Sequence, residues 1–426
     1  MKSYLSMSRE ELTAEFNKVK KEYAHLTTLG LHLDMSRGKP GTDQMDLSRR
    51  IFDLVGNDIG FKNKDGVDCR NYGGLDGLTE LKELFAGILG LLPSQIIVGG
   101  NSSLNMMYDT IAQAMTHGLG GEPWMKQGEI KFICPVPGYD RHFAITEHFG
   151  IKMIPVQNNE DGPDTEKIEE LIKDPSVKGM WCVPKYSNPE GITYSDAVVK
   201  RLAAMKPAAK DFRIFWDNAY VIHDLYDKGD NLLNIYDECV KAGNPDLVIM
   251  FTSTSKITFP GAGVAAQAAS PNNVEMLKSR MQFQTIGPDK LNQLRHARMF
   301  RSVDDIKAHM KEHARILRPK FESVLSEMEK ELAELGIATW NKPKGGYFIS
   351  LNVMNGCAKR VEELCAGAGM ILTKVGATYP YGYDANDSNI RIAPSFPPVE
   401  EIKKASTVLC VSVKYAVLEK LLGENC

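Results

Sequence analysis

Along the middle of the chain, short apolar runs alternate with longer stretches whose apolar residues recur at helical spacing. The runs 95–98, 130–134, 152–156, 178–183, 213–217 and 247–251 read as buried strands. Between them, 103–116, 164–173 and 195–204 carry helix-like patterns. That alternation predicts βαβ units and a mostly parallel sheet covered on both faces. From about residue 300 the rhythm changes: long charged helices over 303–335, a glycine-entered strand at 345–351, and an amphipathic helix over 399–422. The first 30 residues are also helical in pattern, with Ser8 ahead of Glu10 and Glu11 as a plausible cap. The predicted organisation is a large α/β domain over 46–299, with 1–45 and 300–426 folding together as a smaller α+β domain. No internal repeat or low-complexity linker interrupts it.

Composition narrows the function classes without choosing one. The 426 residues exceed ordinary single-domain size, and 43% hydrophobic with 25% charged content is that of a globular enzyme. A net charge of -3 gives no reason to expect nucleic acid or an anionic membrane as partner. No apolar run approaches the roughly 18 residues of a membrane helix, and the polar amino terminus lacks the apolar core of a signal peptide. The eight cysteines, at 69, 134, 182, 239, 357, 365, 410 and 426, include no Cys-x-x-Cys pair. They read as reduced residues of a cytoplasmic protein, with no metal site.

Candidate chemistry gathers where the strands end. Ser253-Thr254-Ser255-Lys256 follows the 247–251 run directly, and a lysine at the mouth of a buried strand is costly to desolvate. Desolvation lowers an amine's pKa and frees it to attack a carbonyl. Upstream, Asp217 closes a strand with Tyr220 three residues on, and Tyr186-Ser187-Asn188-Pro189-Glu190-Gly191 follows another. Gly99-Gly100-Asn101-Ser102-Ser103 opens a helix with small and hydroxyl residues, a natural seat for phosphate. A strand-end aspartate, a strand-end asparagine, a phosphate cradle and a buried lysine are the parts needed to hold pyridoxal 5'-phosphate.

In their order these motifs resemble the fold-type I aminotransferases of class I/II, over nearly the whole chain. Ser-Thr-Ser-Lys-Ile-Thr-Phe-Pro-Gly-Ala-Gly, from Ser253, resembles the divergent bacterial aspartate aminotransferase subgroup Ic. The resemblance implies a large domain with a mostly parallel, seven-stranded-type sheet and a ping-pong exchange between an amino acid and a 2-oxo acid, with aspartate and 2-oxoglutarate preferred. It implies that Lys256 bonds the coenzyme's aldehyde and then transfers the proton, and that Asp217 faces the pyridine nitrogen. Asn188 and Tyr220 would bond the ring's phenolic oxygen, and Tyr139 would stack on the ring. Ser102, Ser103 and Ser253 would bind phosphate. Tyr72 would reach the neighbouring subunit's phosphate, which makes a homodimer with shared sites the expected assembly. Arg391 would clamp the substrate's α-carboxylate, and Gly38 would lie over the substrate.

One position departs from the family pattern. Many relatives carry a phosphate-binding arginine about seven residues after the lysine, where this chain has Gly263; Arg141 is a candidate substitute. A dicarboxylic substrate needs a second cation, for which Arg37, Arg141 and Arg295 are available. The glycines at 261 and 263 imitate a dinucleotide fingerprint but follow Phe251 too distantly. His309 and His313 have metal-ligand spacing without a third ligand, so a solvated helix is expected there. The alternatives are other amino-acid specificities, a β-lyase or decarboxylase on the same scaffold, an aminotransferase-like transcription regulator, and a dinucleotide oxidoreductase.

Overall fold

The computed structural model describes residues 2–423; Cys426 lies outside them. The central sheet is built from β1 (Ile96–Val98), β2 (Lys131–Val136), β3 (Lys152–Asn159), β4 (Gly162–Pro163), β5 (Val177–Cys182), β6 (Arg213–Asp217), β7 (Val248–Ser253) and β8 (Ala265–Ala269). Their order is β1-β8-β7-β6-β5-β2-β3-β4. The β7-β6-β5-β2-β3 neighbours pair in parallel, whereas β8 runs antiparallel to both β1 and β7. Every residue of β5, β6, β7 and β8 is buried, which explains their continuous apolar character. The expected seven strands become eight because the two-residue β4 hooks back onto β3. So short a segment gives no periodic signal in sequence.

The sheet's two faces carry separate cores, one including Ile133, Met180, Trp216 and Met250, the other Phe132, Trp181, Phe215 and Phe251. A third core joins the two ends of the chain. Helix α1 (Arg9–Thr27) starts with the anticipated capping box: Glu11 N donates to Ser8 Oγ, and Ser8 N donates to Glu11 Oε2. It packs on the last helix, Val399–Leu422, with the Phe16 and Tyr415 rings edge to face at 5.1 Å. Leu33–Asp34 adds in parallel to Met370–Ile371, tying the amino-terminal segment to the carboxyl-terminal part.

The region read as long charged helices over 303–335 is one helix, Val303–Leu332, with Pro319 inside it. Its buried stripe changes allegiance along its length. Ile306 and Met310 belong to a sheet core, whereas Leu317, Phe321, Val324, Met328 and Leu332 belong to the core of the chain ends. The solvated face expected around its histidines is a correction: His313 is buried and His309 half-buried, because both turn toward the sheet domain. Polar spacing alone could not show which face the sheet would cover.

The strand expected at 345–351 forms later, at Ile349–Val353. Gly345 and Gly346 are held flat against Tyr186, which is fully buried and whose hydroxyl donates to Asp224. A β-carbon at Gly345 would lie 2.1 Å from the Tyr186 ring. Gly345→Ala is therefore expected to cost about 1–3 kcal/mol of stability through overpacking. A denaturant midpoint unchanged from wild type would contradict this contact.

Candidate active site

Parallel strands β2, β5, β6 and β7 deliver side chains, at or just after their ends, to the same end of the sheet, where such folds bind ligands. A cavity of about 570 Å³ lies there, lined by Gly38, Ser102, Ser103, Tyr139, Asn188, Asp217, Tyr220, Ser253, Lys256 and Arg391. Of the anticipated site residues, only Tyr72 stands apart: it is 82% exposed and does not line the cavity. A larger cavity of about 730 Å³ runs behind Trp216 and Asn218 but contains none of these residues. The convergence of titratable groups, not size, picks out the smaller one.

Lys256 and Asp217 define its chemistry. Adjacent strands β6 and β7 end together, Asp217 pairing in register with Phe251, so the turn after β7 carries Lys256 back toward the carboxylate. The lysine amine stands 4.9 Å from the centre of the Tyr220 ring and 5.8 Å from that of Tyr347. Burial depresses its pKa, and the Asp217 charge partly opposes that shift. Asp217 Oδ2 accepts a 3.0 Å hydrogen bond from His142 Nε2, whereas its Oδ1 is buried without a partner. An unmatched carboxylate oxygen facing a cavity suits a protonated ring nitrogen, as pyridoxal phosphate would present.

The opposite end suits the phosphate. Ser102 caps the helix Ser103–His117, accepting from Asn105 N, so the helix's first amides and positive dipole end open toward the cavity. Ser253 and Ser255 share a 3.0 Å hydroxyl bond on the facing wall. Position 263 is tight: a β-carbon there would lie 3.0 Å from Thr254 Oγ1 and 3.2 Å from the Ser255 amide, so a larger side chain would push the turn that carries Lys256. Arg37, Lys39 and Arg141 are the cations at this cavity besides Lys256 and Arg391, whereas Arg295 does not reach it.

Arg391, nearly buried, donates through Nη1 to Asn188 Oδ1 at 3.2 Å and to Asp140 Oδ1 at 2.7 Å. Its Nε reaches Thr373 Oγ1, and its guanidinium lies over the Phe348 ring at 5.0 Å. Phe348 also explains Gly38, where a β-carbon would sit 2.4 Å from that ring. The backbone of residue 38 thus passes close over the pocket.

Sequence reasoning missed three participants. His142 sits beneath Tyr139, stacked on Trp181 at 4.4 Å, and orients Asp217. Its only signal was its place one turn after Tyr139 at the start of a helix, Asp140–His148. Asp140 went unnoticed because its partner, Arg391, lies 251 residues away. Tyr347 was read as a strand residue, and nothing local marks it as a wall beside the lysine.

Comparison with known proteins agrees with this geometry. The family model described as aspartate amino-transferase matches residues 7–425. An aspartate aminotransferase of Corynebacterium glutamicum is 45% identical over 421 residues, covering 97% of each chain. The crystal structure of an aspartate transaminase from the same organism superposes with a TM-score of 0.96 at 45% identity, over 98% of this chain and 99% of that one. At 19% identity, an α-aminoadipate aminotransferase from Thermus thermophilus, complexed with N-(5'-phosphopyridoxyl)-L-leucine, shares the fold with a TM-score of 0.72, over 93% of this chain and 95% of that one.

Because burial favours the neutral amine, Lys256 in protein free of coenzyme should be arylated by trinitrobenzenesulfonate at lower pH than the bulk of the surface lysines. Asp217→Asn should move that midpoint lower still, since the carboxylate's charge holds the proton on. Peptide mapping across a pH series reads both. A Lys256 midpoint matching the surface lysines would show that the amine is not desolvated.

Proposed function

The chain belongs to the aspartate aminotransferase family, and from that premise we propose that it transfers the amino group of L-aspartate to 2-oxoglutarate, with Lys256 as the proton-transferring base. The observation that carries this reading is the buried Lys256 amine facing a half-satisfied Asp217. Aminotransferases of this fold use pyridoxal phosphate, which supplies an electron sink for the bond broken at the substrate's α-carbon.

The remaining steps belong to the protein. Arg391 holds the α-carboxylate and thereby turns the α C–H toward Lys256. Lys256, whose charged form burial disfavours, takes the α-proton and returns it on the same face, beyond the amino nitrogen. Asp217, oriented by His142, keeps a positive ring nitrogen protonated. Asn188 and Tyr220 would bond the phenolic oxygen, Tyr139 would cover the ring, and Ser102, Ser103 and Ser253 would hold the phosphate with the helix amides. Arg141, beside Tyr139, takes the counter-charge that Gly263 cannot supply, and Arg37 takes a distal carboxylate. Two such half-reactions in opposite directions give ping-pong kinetics.

A second copy completes the assembly in this reading. Tyr72 and Phe283 are 82% and 84% exposed, and Ile286 is 63% exposed. Their loops touch, since Gly287 packs against the backbone of Gly73. A partner covering this apolar patch would bring each Tyr72 to the other subunit's phosphate. We also propose the division into 46–299 and 1–45 with 300–426; the core that Leu12 and Phe16 share with Val324 and Leu409 supports joining the two ends, while Ile306 and Met310 still pack in a sheet core. Cytoplasmic residence is proposed too. The seven described cysteines are all buried, and among the described residues no helix is long and apolar enough to cross a membrane.

The purified protein should show a visible absorption band that aspartate shifts and Lys256→Ala abolishes. Arg37→Ala should lower kcat/KM for aspartate by about 10²-fold, the scale of a lost charge-assisted hydrogen bond, while alanine turnover changes little. Neutral amino acids reacting as well as aspartate would remove the dicarboxylate assignment. A fully active monomer in sedimentation would remove the shared site.

A further inference from the structure

The turn that carries Lys256 has an unusual backbone economy. After β7 the chain closes on itself, with Ile257 N and Thr258 N both donating to Thr254 O at 2.9 and 2.8 Å. No backbone amide among the described residues reaches the carbonyls of Lys256 and Ile257. Side chains from distant segments satisfy them instead. Tyr347 OH donates to Lys256 O at 3.4 Å. Ser48 Oγ donates to Ile257 O at 3.2 Å, and His309 Nε2 approaches the same oxygen at 2.8 Å. His313 Nε2 lies 3.1 Å from His309 Nε2, and the Ile257 carbonyl bears on the titration of both rings.

One protonation pattern satisfies these contacts. Gln44 Oε1 accepts from Gly41 N, which fixes the amide's orientation. Gln44 Nε2 then donates to Tyr347 OH at 2.8 Å and to His313 Nδ1 at 3.2 Å. His313 Nδ1 must therefore be unprotonated, which puts the hydrogen of the neutral ring on Nε2. His309 likewise carries its hydrogen on Nε2, because a carbonyl can only accept. The His309 N–H points at Ile257 O beside the Ser48 hydroxyl, and the His313 Nε2–H stands 3.1 Å behind it, holding the His309 ring between Gln44 and the carbonyl. Burial holds His309 and His313 below the usual histidine range, His313 at about 3, so both rings are neutral at working pH. The charged groups bearing on His309 are Arg50 and Glu312.

We propose that His309 and His313 are positioning residues for Lys256: with Gln44, Ser48 and Tyr347 they pin the Lys256 and Ile257 carbonyls, and so fix where the amine stands. This rests on Lys256 being the reactive amine. Tyr347 links the two parts of the device, its hydroxyl on the lysine's own carbonyl and its ring beside the amine. The histidines ride on the helix that spans the sheet domain and the chain-end core. The lysine's position is thus referred to the junction of the two.

His313→Leu removes both the N–H that backs His309 and the acceptor for Gln44, whereas His313→Gln keeps one donor and one acceptor. In protein stripped of coenzyme, hydrogen exchange of the peptide spanning 254–264 should rise about tenfold in His313→Leu and stay near wild type in His313→Gln, as expected when a local hold is lost. In reconstituted enzyme, His313→Leu should shift the pH midpoint of the visible band and cut kcat about tenfold with KM within about twofold, the loss of one positioned contact. Should His313→Leu fail to fold, Gln44→Leu tests the same chain through Tyr347 alone. Equal behaviour of the Leu and Gln variants in exchange and in midpoint would overturn the proposal, as would unchanged exchange at 254–258 despite a lower melting temperature. A wild-type protein with no visible band would instead sink the functional reading, while the exchange experiment still decides the hold.

Discussion

The arrangement depends on an amine and a carboxylate taken out of water together. Asp217 is buried at the end of one strand, and Lys256, half-buried in the turn after its parallel neighbour, has its amine withdrawn from water, so each is expensive alone. Their partners are rationed. Asp217 receives one hydrogen bond from His142 and keeps an oxygen unsatisfied; Lys256 is left with aromatic faces. A stability-optimised core would complete both groups. Here the deficit is left for a ligand, and the surrounding strands, buried on both faces, provide the rigidity that keeps it from collapsing.

Much of this was legible in the chain. Strand ends carry the site residues, and strand ends are visible wherever an apolar run meets Gly, Ser, Asn or Asp. The run at 213–217 and the helix at 399–422 coincide with the observed elements, because burial of whole strands and a long amphipathic stripe are strong signals. Ten residues expected at the site do line one cavity. Their individual chemical roles remain the proposal made above.

What escaped notice was set by tertiary contact. Asp140 meets Arg391 only once the sheet and the chain-end core are assembled. His309 and His313 looked like a polar face because helical spacing shows which residues share a side, not what covers it. Gly263 was legible as a missing arginine. The crowding of that position by Thr254 Oγ1 and the Ser255 amide was not.

The Asp140–Arg391 pair changes what it means for this pocket to recognise an anion. The guanidinium is never offered bare; a tethered acidic group already occupies one of its nitrogens. A carboxylate arriving there meets a cation whose Nη1 is already shared between a tethered acid and the Asn188 amide oxygen, so its grip is weighed against a permanent neighbouring negative charge.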